Sequence, residues 1–232
     1  MSNARAFHVF ALLGAGAVFA GPLRAQSESQ RPSRFQPAID SFLKADSASP
    51  PAPGGIEFIG SSIFRLWTSV TKDMAPLPVY NRAFGGSQTP DVLRFMDRIV
   101  TPYRPRFVVY YCGSNDVNAR ASATEIAGRV REFHERLERA LPGTRMFFVS
   151  VILAPDKRAR WPVVDSVNAQ MRQYAATAKN FDFIDVNPVL FDARGNVRGA
   201  LYLPDSLHYK PDAYVLFTGV VKPVLQRAWG AR

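Results

Sequence analysis

The chain has 232 residues, 47% of them hydrophobic and 12% aromatic, which supplies one sizeable core and argues against a disordered or fibrous protein. A single cysteine, Cys112, excludes an internal disulfide and a cysteine-rich zinc site. The net charge of +10 does not mark a nucleic-acid-binding protein, because the arginines are scattered. Their densest stretch, Arg129 to Arg139, alternates with Glu132, Glu135 and Glu138 in the manner of a solvated helix face.

In chain order, residues 1–25 read as a secretory signal peptide. Arg5 is followed by an apolar run from Phe7 to Ala20, broken only by His8, with small residues at Ala20 and Ala25 for cleavage. The alternative, an uncleaved anchor, needs ~20 apolar residues, and neither this run nor any later one reaches that length. No membrane span is therefore expected once the leader is removed, and the expected location is periplasmic or secreted. Cleavage removes Arg5 and Arg24 and no acid, leaving +8.

Residues 26–55 read as an N-terminal extension. After a polar start, Phe35, Ile39, Phe42 and Leu43 recur at helical spacing and predict a short helix packed on the main domain. The stretch 46–55, Asp-Ser-Ala-Ser-Pro-Pro-Ala-Pro-Gly-Gly, reads as a linker. The compact domain is expected over 56–232.

Within it, strands are predicted at Ile56–Gly60, Val79–Asn81, Arg106–Cys112, Arg145–Val151 and Phe181–Asp185. Helices fit between them. Thr89-Pro90-Asp91 reads as a cap, and Ser122-Ala-Thr-Glu125 as a capping box. The latter opens a helix with Ile126, Val130, Phe133 and Leu137 on one face. Val164, Val167, Met171, Tyr174 and Ala178 form a second stripe, and a last helix runs from about Pro211 to Arg227. This alternation predicts an α/β fold: a three-layer α/β/α domain on a five-stranded parallel, flavodoxin-like sheet. Ligands of such sheets bind beyond the carboxyl ends of the strands, so the residues that follow each strand are the candidates.

Four such segments stand out: Gly60-Ser61-Ser62, Asn81 to Gly86, Gly113-Ser114-Asn115-Asp116, and Asp205-Ser206-Leu207-His208. Each alone is an ordinary turn or cap; their coincidence on one sheet edge carries the argument. The chain has three histidines, His8, His134 and His208. His8 leaves with the leader, and His134 lies on the charged helix, where exposure or partial cover is expected. His208 remains as the base that a serine nucleophile requires, with Asp205 three residues before it as the group that fixes its tautomer. Asp185, at a strand end, stays open as an alternative orienter.

Over roughly Ile56 to Leu225 these blocks resemble the SGNH hydrolase superfamily, the GDSL-type esterases and lipases. Their spacing is similar to that of the catalytic subunits of platelet-activating-factor acetylhydrolase and similar bacterial acylesterases. The resemblance implies a carboxylic ester hydrolase with Ser62 as nucleophile and Asp205 and His208 as acid and base. It implies an oxyanion hole formed by Ser62, Gly86 and Asn115, and requires no metal and no organic cofactor. Ser61 departs from the family pattern, which has aspartate there; that aspartate is outside the triad, so the departure alters the polarity beside the nucleophile and leaves the chemistry in place.

The expected function is hydrolysis of a small-molecule or saccharide ester with a short acyl group through an acyl-enzyme. The alternative is a catalytically weak carbohydrate-binding or scaffold protein on the same fold, and the absence of a phosphate-cradling pattern after Gly60 disfavours a flavodoxin-like cofactor binder. No nucleic-acid partner is expected, and the sequence carries no signal for an oligomeric state. Phe64, Arg65 and Trp67 are open between core, helix surface and pocket wall, and Pro155 to Trp161 between a basic loop and a substrate-site wall.

Overall fold

Segments such as Phe-Val-Val-Tyr-Tyr and Arg-Met-Phe-Phe-Val are apolar at consecutive positions, so a strand made from them must be covered on both faces. The computed structural model, which describes Met1 and residues 33–231, builds that arrangement. The strands are β1 (Ile56–Gly60), β2 (Val79–Asn81), β3 (Phe107–Tyr111), β4 (Arg145–Val149) and β5 (Phe181–Ile184). They form one sheet in the order β2-β1-β3-β4-β5, with every pair parallel. This is the flavodoxin-like order, in which the direction of winding reverses between β1 and β3.

Alternate side chains feed two cores, because strand residues point to opposite faces with a period of two. Ile56, Phe58, Val109 and Phe147 pack under α2 (Ser62–Arg65), α3 (Val70–Asp73) and α8 (Pro211–Gly230), with Trp67, Val70 and Phe217 buried among them. Ile59, Val108, Tyr110 and Phe148 face the other layer. That layer holds α1 (Gln36–Ala48), α4 (Thr89–Ile99), α6 (Ala123–Ala140) and α7 (Trp161–Ala175). A short helix, α5 (Ser114–Asn118), follows β3.

The strands lie within two residues of their expected bounds. The capping box that opens α6 is present, with the Glu125 amide donating to Ser122 Oγ at 3.2 Å and the Ser122 amide to Glu125 Oε2 at 2.8 Å. Three details differ from the sequence reading. Gln88, not Thr89, caps α4, its amide donating to Asp91 at 2.9 Å; Thr89 is committed to the buried carboxylate of Asp116 instead. His134 is buried, because it shares the inner face of α6 with Phe133 and Leu137. Its ring lies edge-on to Phe181 and 2.9 Å from the Tyr174 hydroxyl, and burial lowers its affinity for a proton. Finally, α1 continues through Ala48, so the first three residues of the stretch read as linker form its last turn.

The reason α1 extends so far lies in its contacts. Ile39 is fully buried, Phe35 meets Phe84 edge-to-face at 5.1 Å, and Asp46 accepts from both Arg82 and the Tyr103 hydroxyl. The side chains of the Arg82–Asp46 pair are each only 10% exposed. Removing one partner of such a pair strands the other charge at a cost of about 3–5 kcal/mol, so the pair fastens α1 to the loop after β2. The leader over 1–25 lies outside the described residues; among those described, no helix is long and apolar enough to cross a membrane.

Candidate active site

The site begins where β1 ends. Gly60 has φ +134°, and a Cβ there would lie 1.7 Å from the Tyr111 carbonyl oxygen, a separation no side chain tolerates. Only glycine lets the chain leave the sheet here while pressed against β3. The Ser61 amide donates to that same carbonyl at 3.0 Å, and the Ser61 carbonyl accepts the amides of Phe64 and Arg65. The turn so formed makes Ser62 the first residue of α2. Asn81 then pins α2 to the loop after β2: its Nδ2 donates to the Phe64 carbonyl at 2.7 Å, and its Oδ1 accepts the Ala83 amide at 2.9 Å.

The candidate base, His208, arrives from the loop before α8. His208 Nε2 is 2.9 Å from Ser62 Oγ, and His208 Nδ1 is 2.6 Å from Asp205 Oδ2. The other carboxylate oxygen, Asp205 Oδ1, accepts the amides of Leu207 at 3.0 Å and His208 at 2.9 Å. The hydrogen bond from the His208 ring, followed by those two amides, depresses the Asp205 carboxyl to about 2. With its folded value lowered, this interaction is intact above the ordinary carboxylate range and is lost only as the pH falls through about 2. An ionised carboxylate at Nδ1 leaves Nε2 free to accept the serine proton.

Gly86 and Asn115 line the same pocket as His208. Gly86 has φ +81°. Asn115 sits on α5, which starts after Gly113; a Cβ at Gly113 would meet Val151 Cγ2 at 2.9 Å. Asn115 Nδ2 donates to the Ser87 carbonyl at 2.9 Å, which uses one amide hydrogen and fixes the direction of the other. Ser87 Oγ in turn donates to the Gly60 carbonyl at 3.1 Å. The neighbouring Asp116 anchors α5 from within: it accepts the Thr89 amide at 3.0 Å and the Thr89 hydroxyl, with Arg129 at 3.7 Å. Burial raises its carboxyl above the ordinary value. Among the described residues, the amides of Ser62 and Gly86 donate to no protein acceptor. Ser62, Gly86, Asn115 and His208 all line one pocket of about 600 Å³.

A serine, a correctly oriented base and a cluster of free donors on one pocket form the constellation of an acyl-transfer site. The model of the GDSL-like lipase/acylhydrolase family matches residues 60–216. The chain belongs to that family. It is a carboxylic ester hydrolase of the SGNH superfamily. Among solved structures it is similar to a protein from Streptococcus pneumonia named after platelet activating factor, at TM-score 0.72 and 19% identity over 82% of this chain and 92% of that one. A GDSL-like lipase from Bacteroides thetaiotaomicron gives TM-score 0.68 at 18% identity, covering 82% and 98%. A carbohydrate esterase of family 3 from Talaromyces cellulolyticus gives 0.61 at 15%, covering 75% and 97%. At these identities the likeness is one of fold. No curated protein matches the chain.

Within this acylhydrolase fold the open sequence readings resolve as follows. Asp185 is directed away from the base: it pairs with Arg172 at 2.7 Å and accepts the Asn187 amide at 3.1 Å. Phe64 and Trp67 are core, whereas Arg65 lines the pocket. Residues 155–161 contribute nothing to the pocket wall; Pro155–Arg160 form a 3-10 turn, and the indole of Trp161, at the start of α7, donates to the Ala154 carbonyl at 2.8 Å. The sequence reading missed Arg34, Phe35, Pro37 and Ala38, which close one side of the pocket. Phe35 carried a periodicity signal, but for packing alone, and nothing local ties Arg34 to a loop 52 residues away.

Because the Asp205 carboxyl is held at about 2, acidification to pH ~4 should leave it ionised. The logarithm of kcat/KM should therefore fall with a slope no steeper than about one on acidification down to pH ~4. A slope of about two would show that Asp205 gains its proton in the same range, contrary to the geometry.

Proposed function

We propose that this enzyme removes a short acyl group from an ester by way of an acyl-enzyme on Ser62. The observation that carries this reading is the continuous Ser62–His208–Asp205 relay, at 2.9 and 2.6 Å, opening onto the pocket shared with Gly86 and Asn115. In the first step Ser62 Oγ attacks the ester carbonyl and passes its proton to His208 Nε2. The negative charge on the former carbonyl oxygen is met by the amides of Ser62 and Gly86 and by the second hydrogen of Asn115 Nδ2. Collapse expels the alcohol, which takes the proton from His208. Water then repeats the sequence on the acyl-serine, releasing the acid and restoring Ser62.

The short-acyl reading rests on the connections. Ser62 follows β1 after one residue, and Ser114 follows β3 after two. At these two strand ends the connections are too short to carry a lid or a lipid tunnel. A methylene that remains in water contributes nothing, whereas a buried one contributes about 0.8 kcal/mol, so long chains gain little. An acetyl esterase solved with acetate and the carbohydrate esterase named above share the fold, and an acetylated saccharide is a natural candidate substrate. The leader reading of residues 1–25 supports an activity outside the cytoplasm.

Three measurements test these points. Ser62→Ala should abolish nearly all hydrolysis of p-nitrophenyl acetate with little change in thermal stability, and Asn115→Ala should lower kcat by roughly 10²–10³. Full activity in Ser62→Ala, or an effect of Asn115→Ala on KM alone, would refute the assigned roles. The specificity constant for p-nitrophenyl acetate should exceed that for the palmitate ester, measured below its aggregation limit; the reverse order would indicate a lipase. Sequencing the amino terminus of the exported protein should find cleavage after Ala20 or Ala25, and an intact terminus on cytoplasmic protein would exclude export.

A further inference from the structure

We infer that Arg34 and Arg65 form an anion-recognition pair in the catalytic pocket, and that the ester it takes carries a carboxylate or phosphate on its alcohol part. This rests on the acyl-transfer reading above and adds the substrate class.

The two guanidinium groups lie on consecutive residues of one loop. Arg34 Nη2 donates to the Gly86 carbonyl at 2.9 Å, and its guanidinium carbon stands 4.6 Å from the centre of the Phe35 ring. Arg65 lies against Gly85, where a Cβ would come within 2.4 Å of its Nε. The Gly85 backbone is not in the left-handed region, so its conformation does not call for glycine. What the missing side chain provides is room for the Arg65 guanidinium beside the oxyanion loop.

Both arginines are exposed, and neither is paired with a carboxylate among the described residues. No aspartate or glutamate lines the pocket. The nearest acid of the site, Asp205, already binds the His208 ring and two amides. The pocket therefore presents two cations with most of their five donors each unused, and the in-plane N–H fork of a guanidinium pairs edge-on with two oxygens of a carboxylate or phosphate. A pocket of about 600 Å³ far exceeds an acetyl group. The space bordered by the arginines is thus left for the alcohol part of the ester, which places the anion there.

The test uses full-length enzyme and three aryl acetates that share the acyl group: 4-acetoxybenzoate, 4-acetoxyphenyl phosphate, and neutral 4-acetoxybenzamide. Wild-type enzyme should prefer at least one anion over the amide in kcat/KM, and the preferred anion identifies the group recognised. In Arg34→Gln/Arg65→Gln that preference should fall at least about tenfold, the size of a lost charge-assisted hydrogen bond. Arg65→Lys should keep part of it, since charge survives while the planar fork does not. Raising the salt from about 0.02 to 0.5 M should shrink the wild-type preference by screening. Arg139→Gln, at the end of α6 on the opposite edge of the sheet, controls for net charge. A preference unchanged in the double variant, or reduced equally by Arg139→Gln, would overturn this inference and leave the acyl-transfer reading standing. Absence of any Ser62-dependent hydrolysis would overturn both.

Discussion

The approach of β1 to the Tyr111 carbonyl is the constraint from which the site follows. At Gly60 the chain turns out of the sheet with no room for a single carbon atom between it and β3. The carbonyl that forbids a side chain at 60 also accepts the next amide, from Ser61. Steric exclusion and hydrogen bonding thereby fix the same turn, and the turn fixes Ser62. Because β1 and β3 are the strands between which the winding reverses, the turn faces the crevice that such sheets leave for ligands. Gly113 performs the matching exit from β3 and brings Asn115 to the other side of that crevice.

The two functional halves of the site are held by different physics. The Gly86–Asn115 side is secured by polar groups that are buried or, at Asn115, half-buried: Asp116 on Thr89, Asn115 on the Ser87 carbonyl, and Ser87 on the Gly60 carbonyl. Inside a low-dielectric core such bonds are costly to break, which suits donors that must already be in place when charge develops. The His208 side is a turn at the surface. Asp205 holds it by accepting two backbone amides and the ring in one short loop, and the Leu203 amide closes the loop on the His208 carbonyl at 2.8 Å. A single ionised carboxylate thus sets both the loop conformation and the imidazole tautomer.

The N-terminal helix adds a third contribution that lies outside the region matched by the family, residues 60–216. Its inner face joins the core through Ile39, and Asp46 fastens its far end to Arg82. Its N-terminal end is thereby held against the loop after β2, where Arg34, just before the helix, meets the Gly86 carbonyl. A helix that looks like peripheral packing is in this way part of the pocket wall.

How much of this was legible in advance depends on the range of the interaction. Apolar runs and turn residues fixed the five strands, and the spacing of Ser122 and Glu125 fixed a cap, because each of these effects acts between near neighbours. The candidate residues Ser62, Gly86, Asn115, Asp205 and His208 were legible because each lies in the segment that follows a strand or leads into a helix, and a parallel sheet gathers such segments on one edge. Tertiary structure alone decided the rest. It chose Asp205 over Asp185, since Arg172 claims the latter, and it buried His134 by the rotation of α6 against β5. It also set Arg34 and Arg65 over Gly86 and Gly85. Those contacts join residues far apart in sequence, and their geometry comes from how whole helices seat on the sheet, which no local pattern of side chains encodes.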